Sequence, residues 1–317
     1  MATKSKPNEI AITRVYDAPL KAVWDAWTDV EQVAQWWGPR GFTITTHSKD
    51  LRKGGHWHYT MHGPDGVDWP NRTSYLEVEQ YKLLVYDHGA NDKQPALFRV
   101  TVNFLEQNGK TLMDMTMALK TPEEAAETRK FIKKAGGNST WDRLAEYLGK
   151  KIKGREQFVI NRTFNAPIDT MFEMWTNPKH ITKWLPPTGM SMEYVRVDIR
   201  EGGSSVAKMS DGGNFVMFSK AKYLEIRKPN HIVYTQEFCD ENENMSRHPG
   251  APVWPETMIT TITLSEESPS ETRVTVLWEV HGAHSKEELA CFIAGRAGMT
   301  GGWTGSFDKL EDYLAIL

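Results

Sequence analysis

Along the first half of the chain, apolar and polar positions change period twice, and the changes mark out one set of elements. Residues 11–16 read as a strand, stopped by Ala18-Pro19. Pro19 falls just inside the start of a helix, where its missing N–H costs nothing. Val23, Trp27 and Val30 follow at helical spacing and give that helix an apolar face. A second short helix carries Val33, Trp36 and Trp37 and ends at Gly38-Pro39. From Phe42 onward the pattern is that of strands, over 43–51, 56–61, 73–80, 83–88, 97–105 and 111–119. Gly54-Gly55, Pro64-Asp65-Gly66 and Asn108-Gly109 separate them, the last being a hairpin signal. Thr121-Pro122-Glu123-Glu124 opens a helix with an N-cap, a proline in the first turn and early acids. That helix runs to about Leu148, with Trp141, Leu144 and Leu148 on one face and Gly136-Gly137 interrupting it.

The second half repeats this order. Ile12-Thr13-Arg14-Val15-Tyr16-Asp17-Ala18-Pro19 returns as Ile160-Asn161-Arg162-Thr163-Phe164-Asn165-Ala166-Pro167, an offset of 148 residues. The offset also carries Trp27 to Trp175, Trp36 to Trp184, Asp50…Gly54-Gly55 to Asp198…Gly202-Gly203, and Tyr86 to Tyr234. After Tyr234 the second copy gains a loop, residues 240–255, and the offset reaches 166 where Leu144 and Tyr147 meet Leu310 and Tyr313. A colinear match of this length is a tandem duplication. The two copies are expected over 1–150 and 156–317, with a linker over 149–156. Gly295 to Gly302 is glycine-rich and predicts a broken or mobile helix at the end of the second copy.

Composition narrows the classes of function. A chain of 317 residues, 39% hydrophobic and 25% charged, has the length of about two globular domains. A net charge of −3 gives no electrostatic reason to expect nucleic acid or anionic membrane as a partner. No apolar run is long enough for a membrane span. The first residues lack an apolar signal region. With Cys239 and Cys291 alone there is no disulfide framework, and a cytoplasmic location is expected. The 12 Trp and 14 Met are unusual, and such side chains suit a core with irregular space in it.

The residues just quoted, in this order, resemble the START-like (SRPBCC) superfamily. Within it, the resemblance is to the family named for the activator of the heat-shock-protein-90 ATPase. Ala18-Pro19 then Val23-Trp24, Trp36-Trp37, Tyr75-Leu76-Glu77-Val78, Leu84-Val85-Tyr86 and Trp141…Leu144…Tyr147-Leu148 carry it in the first copy. Ala166-Pro167, Trp184, Gly202-Gly203, residues 223–226 and Leu310…Tyr313-Leu314 carry it in the second. The resemblance implies an α+β class and two tandem helix-grip domains. In each, a curved antiparallel sheet wraps a long C-terminal helix with two short helices, around a cavity for an apolar or amphipathic small molecule. It implies no shared reaction, because the fold hosts lipid carriers, hormone receptors, cyclases and chaperone cofactors.

Three functions follow from this reading. The leading one is a ligand carrier or sensor without bond-making chemistry and without a cofactor. The others are a cyclase- or hydrolase-like enzyme and a chaperone-associated stress protein. The expected cavity walls are Trp36, Trp37, Trp57, Tyr59, Trp69 and Trp141 in the first copy, with Tyr86 and His88 as polar groups on an apolar face. In the second they are Trp184, Leu185, Ser205, Met217 and Phe307, with Ala207 and Met209 on the same strand face as Ser205, and with Phe215, Trp254, Tyr234 and Gln236. The first cavity is expected to be the more aromatic, the second rich in Met, and the two roles unequal. His88 is the candidate acid or base if there is one; the other reading of Tyr86 and His88 is a core pair satisfied by its neighbours. His56, His58 and His62 near Asp65 and Asp68 raise a metal site, but alternation puts Trp57, Tyr59 and Met61 on one face and His56 and His58 on the other, toward solvent. No nucleophile motif or phosphate loop is present.

Overall fold

The computed structural model describes residues 6–89, 95–134 and 139–317. Contacts divide the chain into two compact units, the first ending at Arg155 and the second beginning at Glu156. In the first, β1 (Glu9–Tyr16) is followed by α1 (Leu20–Thr28) and α2 (Val30–Val33). Six strands come next: β2 (Thr43–Lys49), β3 (His56–His62), β4 (Asp68–Glu79), β5 (Leu83–Gly89), β6 (Phe98–Gln107) and β7 (Lys110–Ala118). The helices α3 (Pro122–Lys134) and α4 (Ser139–Lys153) end the unit. The strands form one antiparallel sheet in the order β1-β7-β6-β5-β4-β3-β2, so a meander is closed by the first strand pairing with the last.

The second unit has the same order. It comprises β8 (Gln157–Phe164), α5 (Ile168–Thr176), α6 (Pro178–Trp184), β9 (Ser191–Arg196), β10 (Ser204–Ser210) and β11 (Val216–Arg227). It continues with β12 (His231–Cys239), β13 (Thr257–Ser268), β14 (Glu271–Val280), α7 (Lys286–Ala294) and α8 (Arg296–Leu314). Its sheet order, β8-β14-β13-β12-β11-β10-β9, reproduces the first. The class is α+β, with two seven-stranded antiparallel sheets and, among the described residues, eight helices.

The residues that repeat in sequence are the ones that bolt each unit together. Asp29 and Asn177 cap the second short helix of their units, each side chain accepting a backbone N–H. Trp36 Nε1 donates to the Ala26 carbonyl at 2.9 Å, and Trp184 Nε1 to the Met174 carbonyl at 3.0 Å. Thr111 and Thr272 each donate to the carbonyl of the alanine before the repeated proline, both at 2.8 Å. At the Gly-Gly corner, Gly54 and Gly202 both take φ +78°. A Cβ on Gly55 or Gly203 would stand 2.1 or 2.4 Å from the carbonyl oxygen of Asp50 or Asp198. The pairs Gly54-Gly55 and Gly202-Gly203 hydrogen-bond with the backbone of Tyr75 and Tyr223, so the repeated motifs are two ends of one corner.

Several expectations shift by a residue or a turn. Pro19 is the N-cap and helix α1 starts at Leu20. That helix ends at Thr28 because Asp29 turns extended to cap α2, which leaves Val30 41% exposed; Trp24 takes the buried position instead. Asn108 and Gly109 both have positive φ and close the β6–β7 hairpin as expected. Helix α4 runs on to Lys153, into the segment expected as linker. Gly136-Gly137 lies outside the described residues. In the second unit the terminal helix does break at Gly295, but α8 then continues unbroken through Gly298, Gly301 and Gly302.

The interior of the first unit is packed with rings. Trp27 stacks on Trp141 at 5.5 Å and meets Trp36 and Trp37 at the same distance. Trp57 and Tyr59 stack at 4.1 Å, and Trp37 touches both. Their polar tips are spent inside: Trp37 Nε1 donates to the Tyr59 hydroxyl and Trp57 Nε1 to Thr46 Oγ1, each at 3.1 Å. Lys49 reaches into this cluster, donating to the Trp27 carbonyl at 3.1 Å with its Nζ 4.4 Å from the centre of the Trp57 ring.

Candidate functional site

The same face of the second unit is built from smaller side chains. Where the first unit carries Trp57 and Tyr59 on β3, β10 carries Ser205 and Ala207; where it carries Trp37, the second has Leu185. The space this leaves is a cavity of about 70 Å³. Trp175, Ile181 and Leu185 bound it on the helical side. The inner-face positions of four neighbouring strands bound the other: Met192 and Tyr194 of β9, Ser205, Ala207 and Met209 of β10, Ser219, Ala221 and Tyr223 of β11, and Ile232, Tyr234 and Gln236 of β12.

Alternation along each strand puts these residues on one face, and the register aligns them across it. Ser205 lies opposite Ala221, Ala207 opposite Ser219, Met209 opposite Met217, and Tyr223 opposite Tyr234. Tyr86 in the first unit is 6% exposed, whereas its counterpart Tyr234 is only half-buried because it borders the cavity.

The lining contains no Asp, Glu, Lys, Arg or His. Burial pushes the phenols of Tyr194, Tyr223 and Tyr234 above the ordinary tyrosine range, so all three remain protonated donors at neutral pH. Tyr223 has the Ser205 and Tyr194 hydroxyls beside it, and Ser205 Oγ accepts the Asp198 N–H at 2.9 Å. Tyr234 has the Thr260 hydroxyl beside it, but Thr260 Oγ1 is buried without a partner in hydrogen-bonding geometry. Trp175 Nε1 is also buried and unpartnered, as is Trp27 Nε1 in the first unit, so that feature belongs to the shared architecture and not to this cavity.

The family comparison assigns both halves alike. The model of the family described as activator of Hsp90 ATPase homolog 1-like protein matches residues 17–149 and again residues 165–315. The chain belongs to this family. No significant match was found among curated proteins. Solved structures similar to one half include a protein of Nitrosomonas europaea, 22% identical, for which 47% of this chain and 99% of the other are covered with a TM-score of 0.43. A Staphylococcus epidermidis protein is 28% identical over 48% and 96%, TM-score 0.43. An AHSA1 protein of Silicibacter pomeroyi is 14% identical over 50% and 98%, TM-score 0.40.

Within this member of the activator-of-Hsp90-ATPase-homolog-1-like family, the residues expected at the sites separate into three groups. Met209, Tyr234 and Gln236 do line the cavity of the second unit. Trp36, Trp57, Tyr59, Tyr86, Trp141, Trp184 and Phe307 are buried core, and Trp37 packs against it. The third group lies apart from the cavity. Trp69 shares the face of Tyr59 and Met61 but sits at the end of β4, 51% exposed. Trp254 packs on Phe292 and against Gly295, Phe215 lies 6.5 Å from His248, and Met217 lines a separate groove of about 350 Å³ with Phe238.

Leu185, Ser205 and Ala207 fall on the face expected for the cavity, whereas Ser219, Ala221, Tyr194 and Tyr223 were not singled out and Trp175 was expected as core. Trp303 was missed too: it stacks on Trp175 at 5.9 Å, as Trp141 does on Trp27, but from one helical turn earlier than the repeat predicts. The only signal for the cavity was the loss of ring-bearing residues between copies.

His88 stacks on Phe98 at 4.9 Å. Burial lowers it to about 4, so it is neutral at pH 7. Above its ordinary value of 6.5 both folded and unfolded chains hold it neutral, and it has no pH effect. As pH falls from 6.5 toward 4, the unfolded chain takes the proton first and stability is lost. Replacing it with Gln, the residue at the matching position 236, should therefore spare about 2 kcal/mol of that loss at pH 4.5. Urea denaturation at pH 7 and 4.5 checks this; equal acid sensitivity of the two proteins would contradict it.

The other histidines of this region lie on the outer face. His56 and His58 are ring to ring at 4.7 Å, and His62 contacts Asp68 at 2.7 Å. Among the described residues no group of three or more His, Cys, Asp or Glu is placed to hold a metal. No described helix is long and apolar enough to cross a membrane.

Proposed function

We propose that this protein binds an apolar or amphipathic small molecule in its second unit, while the first unit serves as a filled structural partner. Each unit is read as a helix-grip domain, its sheet curved over the terminal helix, and the protein as a cytoplasmic carrier or sensor. One observation carries the proposal: an uncharged cavity opens where Ser205 and Ala207 replace the Trp57–Tyr59 stack of the first unit. Cavities used for small ligands are mostly apolar with a few converging polar groups, which matches Tyr234 and Gln236 among the apolar side chains of Ile181, Leu185, Met192, Met209 and Ile232.

Native mass spectrometry of the purified protein is expected to show a small-molecule adduct that disappears under denaturing conditions. Ala207→Tyr, which restores the residue found in the first unit, is expected to abolish it. An adduct that survives Ala207→Tyr would place the ligand elsewhere, and a bare mass for both proteins would count against carriage. The family description also names the Hsp90 ATPase; a chaperone partner rests on that description, and a pull-down that recovers no Hsp90 would remove it.

A further inference from the structure

Resting on the cavity reading above, we infer that the second unit selects linear, uncharged amphipathic molecules that enter hydroxyl- or carbonyl-first, such as a medium-chain alcohol or ketone, over carboxylates and amines of equal length.

The first ground is charge. A carboxylate or ammonium entering this cavity would lose its water without meeting a counter-charge, because none of the lining residues is ionised at neutral pH. The raised phenols show that the same surroundings resist negative charge on groups already there.

The second ground is hydrogen bonding. The Tyr223 phenol has the Ser205 and Tyr194 hydroxyls beside it, and the Tyr234 phenol has that of Thr260. Gln236 stands two residues from Tyr234 on the same face of β12, and among the described residues its amide makes no protein hydrogen bond. Beside them is Thr260 Oγ1, fully buried and lacking a partner in bonding geometry. The matching position in the first unit, opposite Tyr86, is Val100, which makes no such demand. A phenol that donates and an amide that can do either suit one ligand oxygen. An aliphatic end alone would leave the Gln236 amide unpaired.

The third ground is shape. About 70 Å³ is roughly half the space that holds a benzene ring, so the buried end is slender. The inner-face rows of β11 and β12 run on from Ser219 and Gln236 to Met217 and Phe238. Those two line the groove of about 350 Å³, which also carries Asp240, Glu241 and Arg247, so an apolar body would follow its Met217 and Phe238 side chains.

The test is isothermal titration of the full chain at pH 7 with 1-octanol, octanoate and octylammonium. The wild type, Ala207→Tyr and the double variant Tyr234→Phe/Gln236→Leu are compared, and thermal melting confirms that each is folded. The expected result is one octanol site at least tenfold tighter than either ion, lost in Ala207→Tyr and reduced to the level of the ions in the double variant. If all three compounds bind alike, or the double variant keeps the preference, while Ala207→Tyr removes binding, the cavity reading stands and the selection is overturned. Octanol binding that survives Ala207→Tyr, or no binding of any compound, overturns the cavity reading itself.

Discussion

Trp36→Ala should lower the stability of the N-terminal unit by about 4 kcal/mol, among the largest losses available to a single substitution in this chain. Trp36 is fully buried and lies within 5.2 to 6.2 Å, centroid to centroid, of Trp37, Trp27 and Trp141. Removing it opens a void among rings that cannot slide inward, because Trp37 and Trp57 are tethered through their indole N–H groups. It also strips the Ala26 carbonyl of its donor near the end of α1. Hydrogen exchange read by mass spectrometry can report each unit separately. Peptides from α1 and β3 should lose protection while those of β8–β14 keep theirs. Protection unchanged in α1 would mean the cluster repacks around the gap and is less rigid than its geometry implies.

Lys49→Met should act in the opposite direction, stabilising the same unit by about 2–3 kcal/mol at pH 7. Burial brings the Lys49 ammonium down to about 7, against a smaller upward pull from Asp29. An unfolded chain holds that proton up to about pH 10.4. Between pH 7 and 10 the unfolded state therefore carries the extra proton, and the stability of the wild type rises with pH across that window. Methionine fills a similar volume and takes up no proton in either state; it gives up the hydrogen bond to the Trp27 carbonyl, about 1 kcal/mol, and the cation–π contact with Trp57. The second unit already has an apolar residue here, Val197. Urea denaturation at pH 7 and 9.5 decides the matter. A variant that is less stable at pH 7 would show that the Trp57 face and the end of α1 hold the cation well enough to repay its burial.

The fold was legible because its determinants are residues whose backbone demands are unusual. Gly54-Gly55, Ala18-Pro19 and the capping residue Asp29 recur 148 residues on as Gly202-Gly203, Ala166-Pro167 and Asn177, and Asn108-Gly109 marks the hairpin of the first copy. A strand boundary set by such a residue can be read from the residue itself.

The cavity was not legible in the same way, because what creates it is an absence of bulk. Ser205 and Ala207 are ordinary strand residues, and only their alignment with Trp57 and Tyr59 gives them meaning. Aromatic walls point instead to the first unit, whose rings pack on one another. Trp303 escaped for a related reason: the repeat fixes the phase of α8 through Leu310 and Tyr313, but a ring one turn away can reach the same partner. Val30 was misplaced because helical spacing continues across Asp29, while the chain itself turns there.

Gly295 ends α7 at φ −71°, a conformation open to any residue, so the backbone does not call for glycine there. The space does: a Cβ would lie 2.9 Å from the edge of the Trp254 ring, on the loop that only the second copy has. The loop and the helix end are thus coupled through one contact: any side chain at position 295 would press on the indole, so the glycine leaves the room that the loop's Trp254 occupies.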